Sequence, residues 1–410
     1  MELRPETGAG HRFVSVAEGH VEAFRERAAK HDEASSFPAE NFEELKESGA
    51  MGAFVPAELG GIGLDSVHDW ACGLERLGRG CASTAIALNM HLAVSRQIAG
   101  RWKEAKASGD DAGRAQNEAL LGAINAGQIV ICATATEGGT DFLRPLTTAT
   151  PVESGWSIEG RKLFVTLSPA ASLHVMNLRV PDPEGDKIGF AFVPADTPGL
   201  EAQGDWDALG MRASGSQSVV LRDCRVPEGS VQIAGSWGRW SPGLLMGRTI
   251  GNVTLVAVFL GIAERARALA VEGALRQTKP KFEGALAQAS GVQHLLGEID
   301  IDLAAARAVL SETTKRIDSV IEHATDGTPN LETAHSCMRD YQCAKWTVNQ
   351  NAIQIVSRAM DVCGGSSFMS RHELSRLYRD VRAGPFMQPF SPTEAREYVG
   401  RIALGLYPDG

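Results

Sequence analysis

Residues Cys132-Ala-Thr-Ala-Thr-Glu-Gly-Gly-Thr-Asp141 follow the apolar run Gln-Ile-Val-Ile and concentrate hydroxyls and glycines behind it. Threonine hydroxyls and bare backbone amides at a strand end can hold a flat ring or a phosphate. A plain β-turn has the same composition. A second stretch, Trp206-Asp-Ala-Leu-Gly-Met-Arg-Ala-Ser-Gly-Ser-Gln-Ser-Val-Val-Leu-Arg-Asp-Cys-Arg-Val-Pro227, is equally rich in small hydroxyl residues. A third runs from Asp361-Val-Cys-Gly-Gly-Ser-Ser-Phe to Arg376-Leu-Tyr-Arg-Asp380. A Gly-Gly pair after a helix is first a C-cap; it also lets a ligand approach the backbone. The common alternatives are missing. There is no Gly-x-x-x-x-Gly-Lys loop, no Gly-x-Gly-x-x-Gly after a strand, no His-Glu-x-x-His (His372-Glu373 is followed at 376 by Arg) and no Gly-x-Ser-x-Gly elbow. The ten histidines are dispersed, so metal hydrolysis is not expected.

Three textures position these stretches. Residues 15–126 show helical spacing, with Val21, Phe24, Ala28, Phe42 and Leu45 three and four apart. Pro38 suits a first helical turn, with Ser35 and Ser36 as candidate caps. Residues 56–63 read as a loop, 74–99 as a helix ending at Gly100, and 103–113 as a polar loop. Residues 128–227 carry short β-rich runs separated by Gly and Pro turns, which predicts an antiparallel sheet or small barrel. From about 243 onward three long helices are expected, over 244–278, 284–324 and 331–363, with loops at 279–282 and 325–330, making a bundle. Gly247, Gly251, Ala257 and Gly261 would let the first of them approach another helix closely.

Composition narrows the function. The 410 residues carry 40 Lys+Arg against 50 Asp+Glu, a net charge of −10, which argues against a nucleic-acid partner. The longest nearly apolar run, 253–263, is shorter than the roughly 20 residues a bilayer span needs, so no membrane partner is expected. The opening MELRPETGAGHRF lacks the apolar core of a secretory signal, and seven scattered cysteines form no Cys-x-x-Cys pair. A cytoplasmic location is the expectation.

Together the three stretches resemble the acyl-CoA dehydrogenase superfamily, over nearly the whole chain from Pro56-Ala-Glu-Leu-Gly-Gly-Ile-Gly63 onward. The Leu209-Gly-Met-Arg…Asp-Cys-Arg-Val-Pro227 run is the most specific part. The resemblance implies an α+β fold: an N-terminal α-helical domain (1–127), a central antiparallel β-barrel domain (128–240) and a C-terminal four-helix bundle (241–410). It implies a flavin, FAD with FMN/FMNH2 as the alternative. Thr134 matches the family threonine at the flavin pyrimidine edge. Phe164-Val165-Thr166 matches the strand against the flavin, with Ser168 just beyond it. Thr140 matches the serine on the substrate side. Arg276 and Thr278 resemble an Arg-x-Thr reaching the cofactor of a neighbouring subunit, and Gly364 and Gly365 the pair near its adenosine half. Such sharing implies at least a dimer, and the resemblance implies a homotetramer. A guanidinium and bare amides suit a diphosphate, and a flat aromatic suits the ring.

The departures from the family decide the chemistry. Its catalytic glutamate falls, eight residues after Arg379-Asp380, on Gln388. Relatives with the base early in the first bundle helix are not matched either, since 247–253 reads Gly-Arg-Thr-Ile-Gly-Asn-Val. Glutamine cannot accept an α-proton. A second branch of the fold uses reduced flavin and oxygen and needs no such base. Its histidine after the Arg-Asp segment is replaced by Met387, while His91 resembles another histidine of that branch. Three readings follow. The leading one is a reduced-flavin monooxygenase with His91, Met387 and Gln388 at the reacting end, a hydrophobic or acyl-CoA-like substrate and a flavin reductase as partner. The second is an acyl-CoA dehydrogenase with an unrecognised base among Asp361, Glu373 and Glu394. The third is a base-less flavin-binding or structural subunit.

Overall fold

The computed structural model describes residues 2–278, 285–324 and 328–409. The loop expected at 279–282, the expected helix start at 284 and part of the loop at 325–330 lie outside them. The fold is α+β: helices, a central sheet, then helices again.

The N-terminal region holds α1 (Gly8–Ala34), α2 (Ala39–Glu47), α3 (Val67–Gly80), α4 (Ala82–Ser108) and α5 (Asp111–Asn125). Thr7 caps α1 by accepting the Gly10 N–H at 2.9 Å, and the buried Asp69 carboxylate of α3 accepts from Glu6 N and from the Thr7 amide and hydroxyl. The single helix expected over 74–99 is two, because Cys81 is extended and separates α3 from α4, which then continues past Gly100 to Ser108. The polar loop expected at 103–113 is therefore mostly helix. Ser35 ends α1 in the left-handed region (φ 47°), and Pro38 is the N-cap of α2.

The strands are β1 (Ile131–Thr134), β2 (Thr148–Val152), β3 (Gly155–Val165), β4 (Leu173–Val180), β5 (Lys187–Pro194), β6 (Leu200–Ala202), β7 (Gln217–Val226) and β8 (Val231–Ser236). Their order is β6-β7-β3-β2-β4-β5-β8, with β1 added beside β4. β1 and β2 meet β4 in parallel, while the other pairings are antiparallel. β6 and β8 each have one neighbour, so the sheet is open where a closed barrel was expected. Side chains of alternating strand positions, among them Ile158, Met176, Leu178, Ala191 and Leu221, give it a core of its own.

The C-terminal region contains α6 (Pro242–Arg276), α7 (Ser290–His323), α8 (Leu331–Cys363) and the shorter α9 (Glu373–Asp380) and α10 (Pro392–Ala403). Among the described residues α6, α7 and α8 are the long helices. α6 is long and apolar enough for a membrane span, but 83% of its apolar window is buried inside the protein. It lies against α3 and α8 as the central helix of the main core. At Gly261 a Cβ would stand 2.3 Å from the Glu75 carbonyl, so a glycine there lets α6 touch α3. Of the small residues singled out in α6, Gly261 serves packing within the chain, and Gly247 meets nothing within 4 Å. Asp318 of α7 adds a polar tie by accepting the first N–H groups of α3, Val67 at 2.7 Å and His68 at 3.0 Å.

His91 joins the helical region to the sheet. Its Nε2–H donates to the Met51 carbonyl and its Nδ1 accepts the Ile131 N–H of β1, both at 3.0 Å. Full burial lowers its pKa from 6.5 to about 4, and burial does the same to His174 of β4. The folded protein thus holds both rings neutral where the unfolded chain binds protons. Their contribution is complete above 6.5 and lost as pH falls towards 4, about 3 kcal/mol each. Denaturant unfolding between pH 7 and 4 should show this loss. His91→Gln should lower stability by about 1–2 kcal/mol at pH 7 and flatten the acid slope by one proton; an unchanged slope would disprove the assignment.

Candidate active site

A cavity of about 1350 Å³ lies between the sheet, α4, the start of α6 and the turn after α9. Of the residues singled out from sequence, Thr134, Phe164, Thr166, Met387 and Gln388 are on its wall.

The sheet builds one side. β3 ends in a bulge between Lys162 and Val165, and Phe164 takes a left-handed backbone (φ 52°). Such a backbone costs about 1–2 kcal/mol for a non-glycine residue. It turns the ring out of the sheet: Phe164 is 59% exposed and meets Trp206 edge-on, centroids 6.0 Å apart. Beside it Thr166 Oγ1 is 2.8 Å from Ser216 Oγ, which is 2.6 Å from Ser214 Oγ. The Thr134 hydroxyl is buried without a partner. An orphaned hydroxyl, an upturned aromatic face and a row of hydroxyls suit a planar ring with one polar edge, so these residues fit a flavin.

The opposite side carries Gln388. Its Nε2 donates to Thr136 Oγ1 at 3.0 Å, and its Oε1 accepts from Arg248 Nη2 at 3.3 Å. The amide thus spans from the sheet to α6, with both ends engaged. Arg248 lies over the Phe142 ring, 4.4 Å from its centroid. Sequence reasoning read the stretch around Arg248 only for a missing carboxylate; a cation in an otherwise apolar helix start was the available signal. Ser214 and Ser216 were missed as well, although they lie in the most specific family stretch.

The remaining predicted residues are elsewhere. His91 is fully buried behind the wall, occupied on both nitrogens, and so is not placed to act at the reacting end. The Thr140 hydroxyl donates to the Arg144 carbonyl and closes its own turn. Ser168 donates to the Gly215 carbonyl at 3.1 Å beneath the wall. Arg276, at the end of α6, pairs with Glu272 at 2.5 Å. Thr278 bridges to Ala285, and Gly364 and Gly365 are exposed at the end of α8. These ends of α6 and α8 adjoin through Gln277 Nε2 and the Cys363 carbonyl (3.4 Å), away from the cavity. The carboxylates weighed as bases are also off the wall: Glu373 pairs with Arg265 at 2.6 Å, Glu394 caps α10 and Asp361 is exposed.

Buried polar groups fix the wall. Lys162 binds Glu137 at 2.5 Å and the Asn177 carbonyl at 2.6 Å behind β3. Asp380 accepts the Met211 N–H at 2.6 Å, and a Cβ on Gly210 would meet the Arg379 carbonyl at 2.3 Å, so this glycine lets the 209–211 turn sit on α9. The Gln388 segment hangs from α8: the Tyr341 hydroxyl donates to the Gln388 carbonyl at 2.5 Å, and Lys345 Nζ donates to the carbonyls of Met387 and, at 2.6 Å, Phe390.

Three family models match the chain: acyl-CoA dehydrogenase N-terminal domain over 14–102, middle domain over 131–224 and C-terminal domain over 253–390. The chain belongs to the acyl-CoA dehydrogenase family and is a flavin-dependent oxidoreductase, its cofactor FAD or FMN. It is 35% identical to the amino sugar nitrososynthase RubN8 of Streptomyces rubradiris over 98% of this chain and 92% of that one. It is 34% identical to the L-evernosamine nitrososynthase of a Micromonospora species over 99% and 93%. The solved structure of KijD3 in complex with FMN and dTDP-3-amino-2,3,6-trideoxy-4-keto-3-methyl-D-glucose superposes with a TM-score of 0.90, at 34% identity over 99% and 96%. These relatives agree with the oxygen-using reading of the sequence rather than with proton abstraction.

Burial pushes Lys345 down from 10.5 to about 8. Below 8 both folded and unfolded chains hold its proton and the burial penalty is full; between 8 and 10.5 the folded protein alone releases it. Stability therefore rises across that window, by about 3 kcal/mol from this group. Lys162, also lowered to about 8, acts in the same direction. Lys345→Met should leave the Met387 and Phe390 carbonyls unpaired, lower stability by about 1–3 kcal/mol at pH 7 and remove about half of the alkaline rise. Denaturant unfolding at pH 7, 9 and 10 would show it; an undiminished rise would rule Lys345 out.

Proposed function

We propose that this chain oxygenates the amine of an amino sugar carried on a nucleoside diphosphate, using reduced FMN and dioxygen. The names of its relatives, which cover nearly its whole length, support the substrate class. The observation that carries the reading is Gln388, neutral and held at both ends of its amide where a dehydrogenase of this family has its base. Among the described residues the carboxylates on the wall are Asp65 and Glu104, borne by the segment before α3 and by α4, and neither touches Gln388.

When bound, the flavin supplies the two electrons that activate dioxygen. Phe164 offers an aromatic face to its ring, and the unpartnered Thr134 hydroxyl a hydrogen bond to its polar edge. The Thr166–Ser216–Ser214 hydroxyls can accept and return a proton along the wall. Trp206 and Phe142 exclude water from the reacting end. One turnover converts R–NH2, O2, two electrons and two protons into R–NHOH and water. A second converts R–NHOH, O2, two electrons and two protons into R–N=O and two waters. A flavin reductase provides the electrons. FMN is favoured over FAD because the KijD3 structure, at 34% identity, holds FMN.

The same reading takes regions 1–127, 128–240 and 241–410 as the three domains, α6, α7, α8 and α10 as the bundle, and a cytoplasmic homotetramer as the assembly. The exposed ends of α6 and α8, with Arg276, Thr278, Gly364 and Gly365, support a contact shared between subunits.

With a flavin reductase, NADH and a thymidine diphosphate 3-amino sugar, the protein should consume oxygen and yield products heavier by one oxygen and then of nitroso mass. Acyl-CoA thioesters should leave its flavin unbleached without oxygen; anaerobic bleaching would favour dehydrogenation instead. Thr134→Val should weaken FMN binding up to about tenfold by fluorescence titration, through one lost hydrogen bond.

A further inference from the structure

The charge on the cavity wall is one-sided. Arg96, Arg101, Lys103, Arg248, Arg379 and Arg382 line it, against Asp65 and Glu104. Lys103 is neutralised by Asp65 at 2.8 Å and Arg379 by Asp32 at 2.9 Å. Arg96 and Arg248 make no ion pair among the described residues, and each keeps a buried Nε–H without a partner. Of the two, Arg248 is the one that meets Gln388, and it stands on the cavity wall.

The groups packed around Arg248 do not supply an anion. From the sheet side come the Phe142 ring and, through Gln388, the Thr136 hydroxyl. From α6 itself, Asn252 donates to the Arg248 carbonyl at 2.7 Å. From α8 come Tyr341, whose phenol burial pushes up and keeps neutral, and Lys345, committed to backbone carbonyls. Arg382 on the turn after α9 adds a second cation to the wall, and no histidine lines it. Burial lowers Arg248 to about 10, which leaves it charged at neutral pH.

An aliphatic amine reaches a protein as its ammonium ion, which has no lone pair to take oxygen. We propose that Arg248, held against Gln388, repels the ammonium form and keeps the bound substrate amine neutral and reactive, so that oxygenation needs no general base. This inference rests on the amine substrate proposed above. The proton lost on binding passes to water. The neutral amine, dioxygen and two electrons from the reductase-supplied flavin, with two protons, then give hydroxylamine and water. A glutamate at position 388 would act in reverse, pairing with the ammonium and occupying its lone pair with a proton. A like charge within about 6 Å shifts such an equilibrium by one or more pH units.

The test counts protons. FMN-loaded protein is titrated calorimetrically, in buffers of different ionisation enthalpy below the amine pKa, with a thymidine diphosphate 3-amino sugar and with thymidine diphosphate glucose. The wild type should release about one proton on binding the amino sugar and none on binding the glucose compound. Arg248→Lys should retain the release. Arg248→Met and Gln388→Glu should bind the amino sugar without it, and the acid limb of kcat/KM should move up by about one pH unit. FMN affinity and the unfolding midpoint report whether each variant is intact; should Arg248→Met not fold, Gln388→Glu decides. Binding of both compounds to the wild type without proton release, or release undiminished in Arg248→Met or Gln388→Glu, would overturn this inference alone. Failure of both compounds to bind would overturn the substrate reading and this inference with it.

Discussion

A guanidinium with no carboxylate in ion-pair distance among the described residues, resting on an aromatic ring and a glutamine amide, ties the first long helix of the C-terminal region to the Gln388 segment at the cavity wall. A buried cation is unfavourable unless something answers its charge. Here hydrogen bonding to Gln388 and the face of Phe142 answer it only in part, and the Nε–H is buried without a partner. The two places where this family carries a carboxylate base, the start of the first bundle helix and the segment after α9, meet in this protein as arginine and glutamine. Their contact replaces an acceptor of protons with a group that discourages protonation.

That contact is precise because its supports are buried and polar. The Gln388 segment hangs from Tyr341 and Lys345 of α8, and Arg248 sits two turns into α6, which is anchored against α3 at Gly261. On the sheet side, the bulge in β3 turns Phe164 outward while the Lys162–Glu137 pair holds the strand from behind. Each support has its hydrogen-bonding capacity engaged away from the cavity. Left without partners at the wall are the buried Thr134 hydroxyl and the buried Arg248 Nε–H, beside the exposed ring of Phe164.

Much of the architecture was legible in the residues, for local reasons. α8 ends where Gly-Gly follows the helical pattern, and β4, β5 and β7 coincide with alternating apolar runs bounded by turns. The break at Cys81 was not legible, because the apolar pattern of α3 runs straight into that of α4 and the extended backbone is imposed by packing. β2, β6 and β8 leave little individual trace in the sequence, because short, half-exposed strands have weak periodicity and depend on their neighbours for hydrogen bonds. His91 was misjudged: a lone histidine on a helix looks the same in sequence whether it faces a ligand or two backbone groups.

By itself the sequence determined the α, β, α order, which resides in composition and periodicity, and its contiguous motifs carried the resemblance from which the family, the flavin and the loss of a carboxylate at position 388 followed. Tertiary structure alone decided that the sheet stays open, that His91 and Thr140 serve the scaffold, and that Arg248 reaches Gln388 across 140 positions of chain. Contacts of that separation depend on how helices and sheet pack, and packing leaves no local trace in the order of residues.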